Sequence, residues 1–384
     1  MTTSPALSAD SASTPSGRAA ALGFFFVNGA TFGSWATRIP DVKQRFELSE
    51  ATLGLVLLAM AIGAVTAFLI TANWSERFGS ARVSAWTAVG FCLLLPPLAF
   101  AGDVVTLAAL LFLFGALGGS LDLAMNAYGA EVEARRKTST MSMLHGFWSL
   151  GFGMAAVVGW ACYAFEISAI PHFAFMSAAM LVLTFFSTRS GIPAEAEAST
   201  PDSEETETRR LTLPLIAMMV VAGSCFLGEG ALLDWIAVFA IWRFDVDLAF
   251  GASLLAVFSC TMIALRLTGD RIITRLGATF ALRASAIAAT LGFAALVFAP
   301  TPSLLPFGVI LAAIGMAMMA PLAFSAAGRS AHPGFAISRV AVGGYAGLLF
   351  GPVIIGGIGE VLNLAWAFAA LGAIFIPLVF VRLR

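Results

Sequence analysis

Twelve separate apolar runs, each long enough to cross roughly 30 Å of hydrocarbon, constrain this chain more than any other feature. They fall near 18–38, 52–73, 82–101, 104–130, 141–164, 170–188, 211–240, 247–268, 278–299, 303–327, 335–358 and 361–381. Backbone in lipid must satisfy its own hydrogen bonds, so each run is expected to form a helix. Of the 384 residues, 59% are hydrophobic and only 11% charged, whereas soluble domains run near a quarter charged. The expected fold class is an all-α integral membrane protein with twelve transmembrane helices in two pseudo-symmetric six-helix bundles.

The stretches between runs set the boundaries. Residues 1–17, rich in Ser, Thr, Ala and Pro, read as a disordered tail. Residues 18–188 hold the first six runs and 211–384 the second six, joined by an acidic linker, 189–210, with Glu195, Glu197, Asp202, Glu204, Glu205 and Glu207. The first run is too long for the core of a cleaved signal and carries Asn28 and Thr31, so it counts as a span.

Lys and Arg placement predicts orientation. With both termini cytoplasmic, sixteen basic residues fall inside and four outside (Arg38, Lys43, Arg45 and Arg243), with Arg266 near the inner end of a span. The expected location is a plasma membrane, the inner membrane of a bacterium. The halves also resemble each other. A shift of 198 places Arg77 on Arg275, Gly79 on Gly277, Gly146 on Gly344 and Gly153 on Gly351, which points to an internal duplication.

Several function classes are excluded. Net charge is -1 with no basic block, so no nucleic-acid partner is expected. No P-loop, no Gly-x-Ser-x-Gly elbow and no metal spacing among the three histidines occurs, so neither an enzyme, a cofactor nor a metal site is expected. Cys92, Cys162, Cys225 and Cys260 lie in apolar runs and read as packing residues.

Ionisable residues inside spans carry most of the functional signal, because each costs about 2.5 to 3.5 kcal/mol at a helix centre and so normally faces a cavity. Three carboxylates qualify as proton-coupling candidates: Asp122 in the fourth span, and Glu229 and Asp234 in the seventh. Asp122 lies on a stripe with Gly115, Gly119 and Asn126, at a depth near His145. A hydrogen-bonded Asp122–Asn126–His145 group is expected there, with either a structural or a functional role. Glu229 and Asp234 are five residues apart, roughly 140° around a regular helix, so both face one cavity only if the helix bends at Gly228 and Gly230. Glu229, nearest mid-membrane, is the favoured proton-responsive acid. Asp234 is expected to order the outer end by pairing with Arg38.

The first span presents Asn28, Thr31, Trp35 and Arg38 on one face, suited to a solute with hydroxyls and a flat apolar surface. For Trp35 and Arg38 a second reading stands equally: an indole in the outer aromatic belt and a snorkelling guanidinium. Trp235 and Trp148 are further cavity candidates, while Trp160, Trp242 and Trp366 read as interfacial.

Several motifs carry a family resemblance. The loop Trp74-Ser75-Glu76-Arg77-Phe78-Gly79-Ser80-Ala81-Arg82 and its counterpart Gly269-Asp270-Arg271-Ile272-Ile273-Thr274-Arg275-Leu276-Gly277 resemble the loop signature of the major facilitator superfamily, the first with Ala72 where glycine is usual. Trp35-Ala36-Thr37-Arg38-Ile39-Pro40, Met141-Ser142-Met143-Leu144-His145-Gly146 and Gly228-Glu229-Gly230-Ala231-Leu232-Leu233-Asp234-Trp235 are similar to the YbjJ-like branch, related to the fucose-permease group. The resemblance implies a secondary transporter, a monomer, that moves a small solute with protons as partners by rocking two bundles about a cavity lined by spans 1, 4, 7 and 10. It also implies a cytoplasmic gate of Glu76, Arg77, Gly79, Arg82, Asp270, Arg271 and Arg275. There Glu76 and Asp270 would meet the N-terminal ends of spans 11 and 5; the plainer alternative is that these charges only set topology. The fifth span lacks the glycine-proline run common in exporters, which favours proton-coupled import of a sugar or sugar acid; efflux of drugs or metabolites through the Met316, Met318 and Met319 region is the alternative, and a non-transporting solute sensor a further one.

Overall fold

A computed structural model describes residues 17–136, 140–189, 211–330 and 333–382. Most of the tail and linker therefore lie outside the described residues, as do Lys137 and His332 and the side chain of Asp270. The described residues form helices α1 (Arg18–Ala36), α2 (Ile39–Arg45), α3 (Glu50–Phe78), α4 (Ser80–Ala99), α5 (Val104–Arg136), α6 (Met141–Ala164) and α7 (Ala169–Arg189) in the first half. The second half holds α8 (Leu213–Phe244), α9 (Leu248–Leu276), α10 (Ala278–Val297), α11 (Leu305–Met316), α12 (Met319–Gly328), α13 (Pro333–Val361) and α14 (Leu364–Ile374), the last continued by a 3-10 turn, Ile376–Phe380. Among the described residues, ten helical segments are long and apolar enough to span a membrane alone, α11 and α12 counting as one. The remaining spans are α1, whose apolar run is diluted by Asn28, Thr31 and Ser34, and the shorter Leu364–Phe380.

Two prolines explain where helices break. A proline ring clashes with the carbonyl four residues back. Pro40 faces that conflict with Ala36, where α1 ends and the chain turns into the short α2. Pro321 does the same to Ala317, between α11 and α12, so the tenth span is broken rather than continuous. At this break the Cys225 thiol donates to the Met316 carbonyl at 3.3 Å.

The halves repeat each other in detail. Within the first, α1 packs on α6, α3 on α5 and α4 on α7; within the second, α8 packs on α13, α9 on α11 and α10 on α14. The N-cap of α3, Ser49, accepts from Thr52 N–H, and 198 residues later Asp247 caps α9 through Phe250 N–H. Both helices are 29 residues long and end at glycines in a positive-φ conformation that side chains disfavour, Gly79 (φ 84°) and Gly277 (φ 82°), again 198 apart. The two halves meet where α3 crosses α13 and α6 crosses α9. Outward-facing apolar side chains such as Leu55, Ile70, Phe175 and Phe298 are more than half exposed, as lipid contact requires. Trp160, Trp242 and Trp366 are likewise exposed.

One end of the molecule carries the Gly79 and Gly277 turns and is called the basic end below. At the opposite end the halves touch backbone to backbone. A Cβ on Gly54 of α3 would lie 2.6 Å from the Pro352 carbonyl of α13, and one on Gly356 would lie 2.5 Å from the Glu50 carbonyl. The Glu360 carboxylate accepts from Ala51 N–H at 3.3 Å, in the first turn of α3.

Candidate functional site

About ten residues in from the basic end, polar side chains from six helices form a layer in which the halves are joined. In α8, Glu229 receives both carboxylate contacts from one nitrogen of Arg266 in α9, Nη2 to Oε1 at 3.0 Å and to Oε2 at 3.2 Å. The pair is 15% and 13% exposed. The other terminal nitrogen, Nη1, donates to Ser149 Oγ in α6 of the first half at 2.7 Å. The guanidinium therefore neutralises a carboxylate of its own half while holding the other half.

A second cross-half link lies beside it. Tyr345 of α13 donates its hydroxyl to Asp122 Oδ2 of α5 at 3.0 Å, and its ring packs edge-on against Phe68 of α3, centroids 4.8 Å apart. Asn126, one turn along α5, donates to the Asp122 carbonyl at 2.8 Å and to Oδ1 at 3.3 Å. The expected third member is absent from this group. His145 instead meets the Phe25 ring edge-to-face at 5.2 Å, because it lies one turn into α6, nearer the basic end than Asp122.

Asn28 of α1 joins the layer from the first half. Its amide donates to the Gly118 carbonyl at 3.1 Å and accepts from Trp148 Nε1 at 2.7 Å. The Trp148 indole stacks on Phe152 at 5.7 Å, and Phe152 touches Phe32. Trp148 thus faces α1, whereas the next residue, Ser149, faces Arg266 of α9.

Other residues proposed from the sequence go elsewhere. Thr31 points away from this layer, its hydroxyl 3.7 Å from the Cys92 thiol of α4. Trp35 and Trp235 are fully buried in the apolar core, so neither the aromatic belt nor an open cavity face describes them. Arg38 is 3% exposed and does not snorkel. It binds Asp41 at 2.7 Å, the Ile167 carbonyl at 2.7 Å and His172 Nδ1 at 3.2 Å, with the Tyr163 ring 4.3 Å from its guanidinium carbon. These partners all belong to the first half, so the expected pairing with Asp234 is not made. Asp234 is buried, with Oδ1 lacking a partner.

Gly228 and Gly230 do not bend α8, which runs unbroken from Leu213 to Phe244. Gly228 lets Met316 and Phe375 approach, and Gly230 faces Leu348. With the helix regular, Glu229 and Asp234 point in different directions, and Glu229 takes the layer.

At the basic end Glu76, Arg77, Arg82, Arg271 and Arg275 are exposed. Among the described residues Glu76 makes no hydrogen bond or ion pair, and the described contacts between α3 and α13 run from Glu50 and Gly356 to Phe68 and Tyr345. Arg77 lies over the Phe78 ring at 5.1 Å, and Gly79 supplies the turn between α3 and α4. The expected contact of Asp270 with the start of α6 involves a side chain outside the described residues.

Sequence reasoning missed three partners. Arg266 read as an end-of-span charge, although an arginine inside an apolar run was itself a signal. Tyr345 and Ser149 gave no comparable signal, since neither is costly in a span.

Two bundles joined at a buried polar layer, with a tight seal at one end, are the architecture of a multi-pass membrane transporter. The family model described as Major Facilitator Superfamily matches residues 20–334, and the chain belongs to that superfamily. It is 32% identical over 356 residues to the uncharacterized transporter y4wD of Sinorhizobium fredii, covering 91% of this chain and 92% of that protein. Among solved structures, a mutant of the nucleoside transporter NupG superposes with a TM-score of 0.76 at 15% identity, covering 95% of this chain and 98% of the other. A variant of the E. coli fucose:proton symporter FucP gives 0.64 at 17% identity, covering 94% and 96%.

Proposed function

We propose that the chain is a proton-coupled importer of a small polar organic solute, of the size and character of a sugar or sugar acid, working by alternating access. It lies in the bacterial inner membrane with the basic end and both termini in the cytoplasm, an orientation supported by the sixteen-to-four distribution of Lys and Arg. The observation that carries the reading is the Glu229–Arg266–Ser149 chain. A proton on Glu229 removes the charge that holds Arg266, and Arg266 is also a tie between halves, so protonation and separation of the halves act on one side chain. Asn28 and Trp148, bonded to each other between α1 and α6, add polar and aromatic groups of the kind that a hydroxylated solute uses. The FucP likeness supports proton coupling by analogy of fold alone.

Efflux of hydrophobic compounds draws less support. Met316, Met318 and Met319, the residues that would favour it, are buried in the core, and Met316 packs on Gly228. The test is uptake by proteoliposomes under an imposed inward proton gradient. Accumulation of a sugar or sugar acid that a protonophore abolishes is expected; gradient-driven extrusion, or thermal stabilisation of the purified protein by hydrophobic cations alone, overturns the import reading.

A further inference from the structure

Resting on the importer reading, we infer that the solute is a monocarboxylate that takes the place of Glu229 on Arg266, and that this exchange makes transport electrically neutral. The argument begins with charge. Burying an ionised group in a membrane interior is costly unless it is paired, and removing one partner of a buried pair leaves the other uncompensated. Arg266 and Glu229 together carry no net charge. A neutral solute entering this layer would have no reason to separate them, whereas an incoming carboxylate offers Arg266 the same chemistry that Glu229 does, and a guanidinium fork can hold it through two parallel bonds.

A neighbour fits such a solute. The Ser149 hydroxyl lies 2.7 Å from Arg266 Nη1, so a small acid with its carboxylate on Arg266 would meet a hydroxyl of the other half in the same place.

The step balances. The solute carboxylate forms hydrogen bonds to Arg266 as those from Arg266 to Glu229 break, and Glu229 takes one proton from water on the entry side. Before the step the pair is Arg266⁺ and Glu229⁻; after it, the same place holds Arg266⁺, the solute anion and neutral Glu229. The exchange leaves the charge of the layer unchanged. On release at the other face the proton leaves Glu229, which closes on Arg266 again. Each turn thus carries one anion and one proton in the same direction, and the membrane potential does no work on it.

The test separates this inference from the reading beneath it. Proteoliposomes are given either a pH gradient alone or a membrane potential alone, with nicotinate, gluconate and glucuronate as carboxylate probes and xylose and uridine as neutral ones. Uptake of a carboxylate that rises at least tenfold with the pH gradient, and less than twofold with the potential, is expected. In Glu229→Gln, binding of that carboxylate should persist without the uptake of one proton per solute that the native protein shows in weak buffer. Arg266→Lys should weaken binding at least tenfold, and the Glu229→Gln/Arg266→Gln pair, which keeps the layer neutral, should melt close to the native protein yet bind no carboxylate. Gradient-driven uptake of xylose or uridine with no carboxylate uptake would overturn the carboxylate assignment and leave the importer standing. Carboxylate uptake driven by potential alone would overturn neutral exchange. Binding undiminished in the double variant would reduce the pair to a structural tie.

Discussion

The α3–α13 crossing is built differently at its two ends. Toward the end opposite the basic loops, Gly54 and Gly356 bring backbones together across the halves and Glu360 caps the first turn of α3. Toward the basic end, just over two turns past Phe68, Glu76 stands exposed and has no partner among the described residues. The same physical device, a carboxylate at a helix N-terminus, was expected at the basic end from its loop motif and is made instead at the other. The contrast teaches that the motif marks where a contact is available, while the packing of small residues marks where the halves are closed in this conformation.

The largest effect should come from the seal itself. Gly356→Leu places a side chain where even a Cβ would lie 2.5 Å from the Glu50 carbonyl, so the end cannot close. Alkylation of a cysteine introduced by Ala51→Cys, in a Cys260→Ser background, should quicken at least tenfold and transport should fall by a similar factor. Unchanged labelling would mean the glycine contact does not set the closure. Next in size is Arg266→Gln, which leaves Glu229 buried without its cation and should cost about 3 to 5 kcal/mol, read as a lowered melting temperature; adding Glu229→Gln should restore most of it.

Smaller effects sharpen the comparison further. Tyr345→Phe removes one interhelical hydrogen bond to Asp122 and should cost about 0.6 to 1.7 kcal/mol, within the range of such bonds in membranes. Glu76→Gln should change stability by less than about 0.5 kcal/mol and labelling at the basic end by less than about twofold, since no partner is lost. A large effect of Glu76→Gln would show that the basic-end latch contributes to the resting balance after all.

The spans and the two-bundle fold were legible because lipid enforces them: long apolar runs must be helices, and the 198-residue offset recurs in the caps at Ser49 and Asp247 and the turns at Gly79 and Gly277. The acids were legible for the same reason, their cost in a span. Their partners were not. Tyr345 lies 223 residues from Asp122, and only the packing of α3 against both α5 and α13 brings them together. Arg266 looked terminal because hydropathy fades near residue 268, yet α9 continues to Leu276 and leaves the guanidinium inside the protein. The Asp234–Arg38 pairing failed because Arg38 already has its acceptors within its own half at Asp41, Ile167 and His172.

The central claim is that Glu229 links proton movement to solute movement through Arg266. Its most direct test compares two assays of Glu229→Gln in proteoliposomes, solute accumulation under a proton gradient and exchange of solute at equal concentrations on both sides. Accumulation should be lost while exchange continues at a rate within a few-fold of the native protein. Full accumulation in Glu229→Gln would contradict the account and move the coupling to another acid.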